Sequence, residues 1–225
     1  MSQKEVIQYY ESIAGDYDES RFGNSYGQFL DAEERCVLDK LIDTRDKGCR
    51  LDLACGTGRL TNYATHGLDA SAAMMEKARK RNHEVEFRLA SACETGYPEG
   101  IFDLVYSFHF LMHVDEDTVR QVFDEVHRIL KRGGRFILDI PSEKRRRLFR
   151  HKQSSWHGGT ALSSRGIERM IAGKFLMGRR FGLMMMPIHR LPAKVRRPLQ
   201  KVDFRLANGW LKEYSSYLVF ELVKI

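Results

Sequence analysis

The sequence contains no apolar run approaching the ~18 residues of a membrane-spanning helix, and its charged opening stretch has no signal-peptide core. A cytoplasmic location is expected on that basis. Cysteine is scarce: Cys36, Cys49, Cys55 and Cys93 form no Cys-x-x-Cys and no metal-ligand spacing. That argues against a disulfide scaffold or a zinc module and leaves four reduced, small apolar residues, with no metal site expected. Internal repeats and low-complexity tracts are missing too. So are two nucleotide-binding signatures. Thr61 stands where Gly-x-Gly-x-x-Gly needs its third glycine, and no Gly-Lys-Ser/Thr closes a Walker loop. What is left, 225 residues, suits one α/β domain with a cap and is too short for two comfortable ones.

The net charge of +7 hides an asymmetry. Met1 to Ser142 holds 18 Lys/Arg against 25 Asp/Glu, whereas Glu143 to Lys212 holds 18 against 3. An acidic base thus carries a basic cap, and a concentration of one sign draws anions: phosphate, an acyl carrier, a lipid headgroup or nucleic acid. A solvated helical surface is the plainer alternative.

The most informative stretch runs from Arg50 to Ser71. Arg50 to Ala54 alternates as a buried strand does, and Gly56 and Gly58 follow where the chain must turn sharply. Glycine there permits unusual backbone angles and lets a ligand approach the main chain. The loop is expected to open onto a helix with free N–H groups, and a second strand to end in Asp69, placed to take ribose hydroxyls. Only ten residues separate Gly58 from Asp69. The first crossover helix is therefore expected to be little over two turns.

Asp52-Leu-Ala-Cys-Gly-Thr-Gly-Arg59 followed by Gly67-Leu-Asp69-Ala-Ser71 closely resembles motifs I and II of the class I S-adenosylmethionine-dependent methyltransferases. Ser91 to Asp103 can be laid without a gap on a later motif of that family, and Gly133 to Pro141 matches its late turn and strand, so the resemblance spans about Tyr9 to Pro141. It implies an α/β, Rossmann-like, doubly wound, mostly parallel seven-stranded sheet with an antiparallel C-terminal strand and a helical cap. It also implies S-adenosyl-L-methionine as cofactor. One domain over 1–225 is expected, divided into lid helices (1–45), a cofactor-binding core (46–141), and a basic acceptor cap with the C-terminal strands (142–225).

Cofactor contacts implied by the resemblance come from Tyr17, Asp52, Ala54, Cys55, Gly56, Gly58, Asp69, Ala70, Met74, Ser91, Ala92 and Ser107. Asp69 would hold the ribose hydroxyls, and Asp52 would lie near the methionine amino group. Ser91 stands where relatives commonly place an Asp for the adenine amino group; its hydroxyl accepts that bond less strongly. Tyr17 either closes over the cofactor or packs in the core. An oxygen or nitrogen acceptor must lose a proton, for which neutral His is best matched near pH 7. His157, in the cap loop beside Trp156, is the first choice, followed by His113 and His109; His189 is the fourth histidine near the same face.

Along the remaining chain, Ser2 to Asp18 reads as one helix and Tyr26 to Ile42 as a second. Asp115 to Lys131 is an amphipathic helix, with Val119, Val122, Phe123, Val126, Ile129 and Leu130 inward. The basic connection Pro187 to Glu213 suits a lid or a helix on an anionic membrane surface, through Val195, Leu199, Val202, Phe204, Leu206 and Trp210. The leading expectation is methyl transfer to a small or carrier- or lipid-linked, perhaps anionic metabolite, with peripheral membrane contact through the cap. Nucleic acid is not the expected partner, since no RNA-binding module and no Asn-Pro-Pro-Tyr-like sequence follows the fourth strand. An RNA methyltransferase and a non-catalytic cofactor-binding protein are the alternatives.

Overall fold

The computed structural model describes residues 3–150 and 160–225. Seven strands form one sheet in the order β3-β2-β1-β4-β5-β7-β6. They are β1 (Arg50–Leu53), β2 (His66–Asp69), β3 (Glu86–Leu89), β4 (Phe102–Ser107), β5 (Leu130–Pro141), β6 (Phe175–Leu183) and β7 (Tyr217–Lys224). The first five run parallel, and β7 enters antiparallel between β5 and β6. The expected sheet, including its single reversed strand, is the observed one.

Two layers of helix cover it. On one face α5 (Glu116–Ile129) buries Val119, Val122, Phe123, Val126 and Ile129, a spacing that puts all five on one stripe. These pack with Leu53, Val105, Phe136, Leu138 and Phe220 of the sheet. Asp115 caps this helix by accepting from the Thr118 N–H at 2.8 Å. On the other face α3 (Ser25–Leu41) lays Phe29, Leu30, Val37, Leu38 and Leu41 against Leu104, Tyr106, Ile137 and Val219.

Two expectations are corrected. Ser2 to Asp18 is not one helix: α1 (Gln3–Ile13) stops, and α2 (Tyr17–Phe22) restarts after a turn that includes Gly15. Between β1 and β2 there is no α-helix, only a 3-10 turn at Thr61–Tyr63. The glycine loop consumes the first residues after Leu53, and Arg59 to Thr65 leave room for less than two α-helical turns before the chain must re-enter the sheet. α3 takes over the vacant face. Arg35 reaches the Arg59 carbonyl at 2.7 Å, and the Tyr63 hydroxyl donates to Asp39 at 2.6 Å, tying the turn to that helix.

Beyond β3's partner helix α4 (Ala72–Arg81), the cap comprises α6 (Glu143–Leu148), α7 (Ser164–Ile171) and α8 (Ala193–Ala207). The connection from Pro187 is thus half helix. α8 buries Asp203 and Ala207, while Val195, Val202 and Leu206 stay exposed and Trp210 beyond it is 89% exposed. Among the described residues no helix is long and apolar enough to cross a membrane.

Candidate active site

The chain order reverses between β1 and β4, which splays their carboxyl ends and opens a crevice where an α/β sheet can bind a ligand. The loop after β1 takes left-handed angles at Ala54 (φ 59°), Gly56 (φ 54°) and Gly58 (φ 75°). Its two glycines do different work. A Cβ on Gly56 would meet nothing within 4 Å, so bare backbone borders the cavity; on Gly58 it would come within 2.6 Å of Asn82 Nδ2 and 2.9 Å of Ala78 Cα. Gly58 therefore seats the loop on α4.

Asp69 fixes the loop across the crevice. Its carboxylate accepts from the Gly56 N–H at 2.7 Å and the Ser71 N–H at 2.8 Å. Burial pushes this carboxyl up, and the same backbone N–H groups oppose that. Each carboxylate oxygen has a second lone pair, so capacity for hydroxyl donors remains. Asp52 lies deeper, accepting from Thr61 Oγ1 at 2.6 Å. Burial pushes its carboxyl up to about 7 against that bond and the charge of Arg59.

A lid closes the cavity from outside. Val6, Ile7, Tyr10, Tyr17 and Phe22 of α1 and α2 form its roof. Glu11 of α1 accepts from the Ala72 N–H at 2.5 Å and the Ala73 N–H at 3.2 Å, at the amino end of α4, where N–H groups lack helical partners. Asp18 of α2 accepts from Thr57 Oγ1 at 2.6 Å and from Arg81 at 2.7 Å. The lid is thus latched to the loop itself.

At the inner wall, the residue after Phe108 is held in a sterically costly left-handed conformation, His109 at φ 57°. Its backbone N–H donates to Asp139 at 2.7 Å, Nε2 hydrogen-bonds Glu34, and Nδ1 lies 3.4 Å from Asp139. Burial alone would lower the imidazole, but the charges of Glu34 and Asp139 win and raise it. Burial pushes Asp139 up to about 6, while Glu34 is held below the usual carboxylate range by His109 and Arg59 despite its burial. Arg59 completes the network, 2.7 Å from Glu34, with its guanidinium over the Phe22 ring at 3.9 Å. Ligand atoms of Glu34, His109 and Asp139 approach within 4.8 Å of one another. A guanidinium already occupies Glu34, and the two carboxylates flank opposite nitrogens of the ring, which favours the protonated imidazole.

Of the residues singled out from sequence, Tyr17, Asp52, Ala54, Cys55, Gly56, Asp69, Ala70, Met74, Ala92, His109 and His113 line this one cavity. Gly58, Ser91 and Ser107 are not among its lining residues. Ser107 Oγ donates to the Leu53 carbonyl at 2.8 Å, bracing β4 on β1, and Ser91 Oγ accepts from the Cys93 N–H at 3.2 Å. His157 lies outside the described residues. Sequence reasoning missed Arg59, Glu34 and Asp139. A signal existed for the acids: Asp139 interrupts the apolar run Phe136 to Ile140, and Glu34 falls on the inward face of α3.

A second cavity, of about 600 Å³, lies behind Tyr217, whose ring meets His109 with centroids 5.3 Å apart. Its walls come from α6, the segment after β6 and the turn before α8.

With this geometry in view, comparison with known proteins is informative. Residues 51–138 match the family model described as "Methyltransferase domain". That segment of the chain is a methyltransferase domain. A demethylmenaquinone methyltransferase of Thermotoga maritima is 32% identical to it over 61% of this chain and 62% of that one. The chain spans about half to two thirds of the length of the curated relatives it matches first. Among solved structures, one described as a SAM-dependent methyltransferase, possible histamine N-methyltransferase, from Thermotoga maritima superposes with TM-score 0.75 at 20% identity, covering 97% of this chain and 99% of that one. The [4+2]-cyclase SpnF superposes at 0.69 with 17% identity over 100% of this chain and 97% of its own. At such identities these likenesses speak to the fold of the methyltransferase domain alone.

Proposed function

We propose that this chain transfers a methyl group from S-adenosyl-L-methionine to a small-molecule acceptor, in the cytoplasm. The carrying observation is the crevice at the ends of β1, β2 and β4, where bare Gly56 backbone and a backbone-pinned Asp69 face one cavity. When bound, the cofactor supplies an already activated methyl on a sulfonium. The protein's part is to hold it and align the acceptor, and alignment can contribute up to ~7 to 11 kcal/mol. In this reading Asp69 takes the ribose hydroxyls, the Ala54–Gly56 loop borders the methionine end with Asp52 beneath, and Ala70, Met74 and Ala92 enclose the purine under Tyr17. His109, whose pKa two carboxylates raise against burial, fixes the inner wall in this reading instead of acting as a base.

Calorimetry with S-adenosylhomocysteine tests this directly: binding is expected, and its absence would refute the assignment. A protein that binds it yet yields no methylated product with any acceptor tried would instead be a cofactor-binding relative, a reading that SpnF, named as a cyclase, keeps open. We further propose that the exposed stripe Val195, Val202, Leu206 with Trp210, flanked by Lys201 and Arg205, rests on anionic membrane. Trp210→Ser should leave stability within about 0.5 kcal/mol and reduce sedimentation with phosphatidylglycerol vesicles; undiminished sedimentation would remove the contact.

A further inference from the structure

The second cavity has a charge pattern that the first does not. Arg145 and Arg146 enter it from α6, and His189 and Arg190 from the turn before α8. No carboxylate lines it among the described residues. Arg145 is oriented by carbonyl oxygens instead, donating to Met185 at 2.9 Å and Tyr214 at 2.8 Å. The remaining wall is apolar, formed by Met184 to Met186 and Phe149. Its inner end is the pair Tyr26 and Tyr217, with hydroxyls 3.4 Å apart, and Tyr217 is also the residue that touches His109 of the cofactor crevice.

A concave space of this size, with convergent cations at one side and thioethers at the other, fits one amphiphilic molecule better than a nucleic-acid strand. We infer that this cavity takes the methyl acceptor, and that the acceptor is a phosphorylated compound with an apolar body. Its phosphate lies on Arg145, Arg146 and Arg190, its apolar part lies along Met184 to Met186, and its reacting atom points past Tyr217 toward the crevice. Guanidinium groups suit the anion because they present paired donors to phosphate oxygens. Burial pushes Arg145 down against the charge of Asp203 behind the floor and pushes Arg146 down as well, so both guanidiniums have lost hydration that an anion would replace; burial with the neighbouring Arg190 and Arg196 pushes His189 down.

This inference rests on the methyltransferase reading, and one set of titrations separates the two. Calorimetry on the full chain would use dodecyl phosphate below its micelle concentration, inorganic pyrophosphate, dodecyltrimethylammonium and phosphatidic acid vesicles, each with and without S-adenosylhomocysteine. Dodecyl phosphate is expected to bind, and Arg146→Gln and Arg190→Gln each to weaken it at least tenfold with unchanged S-adenosylhomocysteine affinity. Arg45→Gln, an exposed arginine ahead of β1 and outside both cavities, should leave it unchanged. Binding of pyrophosphate but not vesicles identifies a water-soluble phosphate ester, and preference for vesicles identifies a lipid headgroup. In the wild-type protein, the His189 pKa followed by NMR should rise on binding. Equal affinity for dodecyltrimethylammonium, or indifference to both arginine variants, would overturn the inference even if S-adenosylhomocysteine binds. Loss of S-adenosylhomocysteine binding with the phosphate site intact would overturn the methyltransferase reading alone.

Discussion

The two cavities are built by the same device with opposite charge. In each, the loop leaving a strand enters left-handed backbone, at Ala54 after β1 and at Met184 after β6, and a buried carboxyl group pins it through backbone N–H groups. In the crevice, Asp69 holds Gly56 and Ser71. In the cap, Glu33 accepts from the Met184 N–H at 2.7 Å, while Asp203 accepts from Met185 at 3.1 Å and Met186 at 2.5 Å. The difference is where the anchor comes from. Asp69 lies within the same short unit as its loop and faces the ligand space itself; Glu33 and Asp203 come from distant helices and are sealed behind theirs. One carboxylate can therefore serve a ligand, whereas the other two serve only the shape of the floor, leaving arginines to set the sign of the site.

The comparison breaks most severely at the shared wall. His109→Phe leaves Asp139 buried without its cation and Glu34 with Arg59 alone, and loss of one partner from a buried pair costs about 3 to 5 kcal/mol. A drop of that size in denaturant unfolding is expected; an unchanged midpoint would mean the network is not formed. Asp69→Ala should cost about 1.5 to 3 kcal/mol in S-adenosylhomocysteine affinity, as lost charge-assisted bonds do, whereas Asp203→Ala should leave that affinity intact. Gly58→Ala offers a finer contrast inside one motif. Strain at φ 75° and the clash with Asn82 and Ala78 should cost about 1 to 3 kcal/mol of stability, with cofactor affinity of the folded fraction unaltered. A calorimetric loss matching that of Asp69→Ala would put Gly58 on the ligand.

The smallest effect is a pH slope in the cap. Burial pushes Glu33 up to about 8, with the charge of Asp203 adding to it and the Met184 N–H opposing. For a carboxyl raised on folding, the folded state binds the proton more tightly, so stability is full below the unfolded value near 4.5 and declines as pH rises toward about 8. Glu33→Gln mimics the protonated form and should flatten the melting temperature across that window, so that the variant is the more stable protein at pH 8. An identical slope in both proteins would mean that Glu33 ionises freely.

How far the sequence reached follows the same division. Gly56 and Asp69 were legible as neighbours because a glycine turn after a strand and an acid one strand later sit close along the chain, whereas Met74 and Ala92, which line the same cavity, were implied by the family resemblance. The lid contacts were half legible: its helical character showed, but nothing local says that Glu11 docks on the amino end of α4. The crossover helix was misjudged because the glycine loop takes up the residues after β1, and α3, the helix just before β1, covers that face of the sheet instead.

The sequence by itself determined the turn at Gly56 and the acid at Asp69, because turn chemistry and strand periodicity act over a few residues, and its resemblance to a known family implied the sheet with its reversed strand. Only the tertiary structure decided that His109 is clamped between Glu34 and Asp139 and that Arg145, Arg146 and Arg190 converge without a lining carboxylate. Burial and the sum of surrounding charges set the protonation of such groups, and both are properties of residues brought together from far apart in the chain.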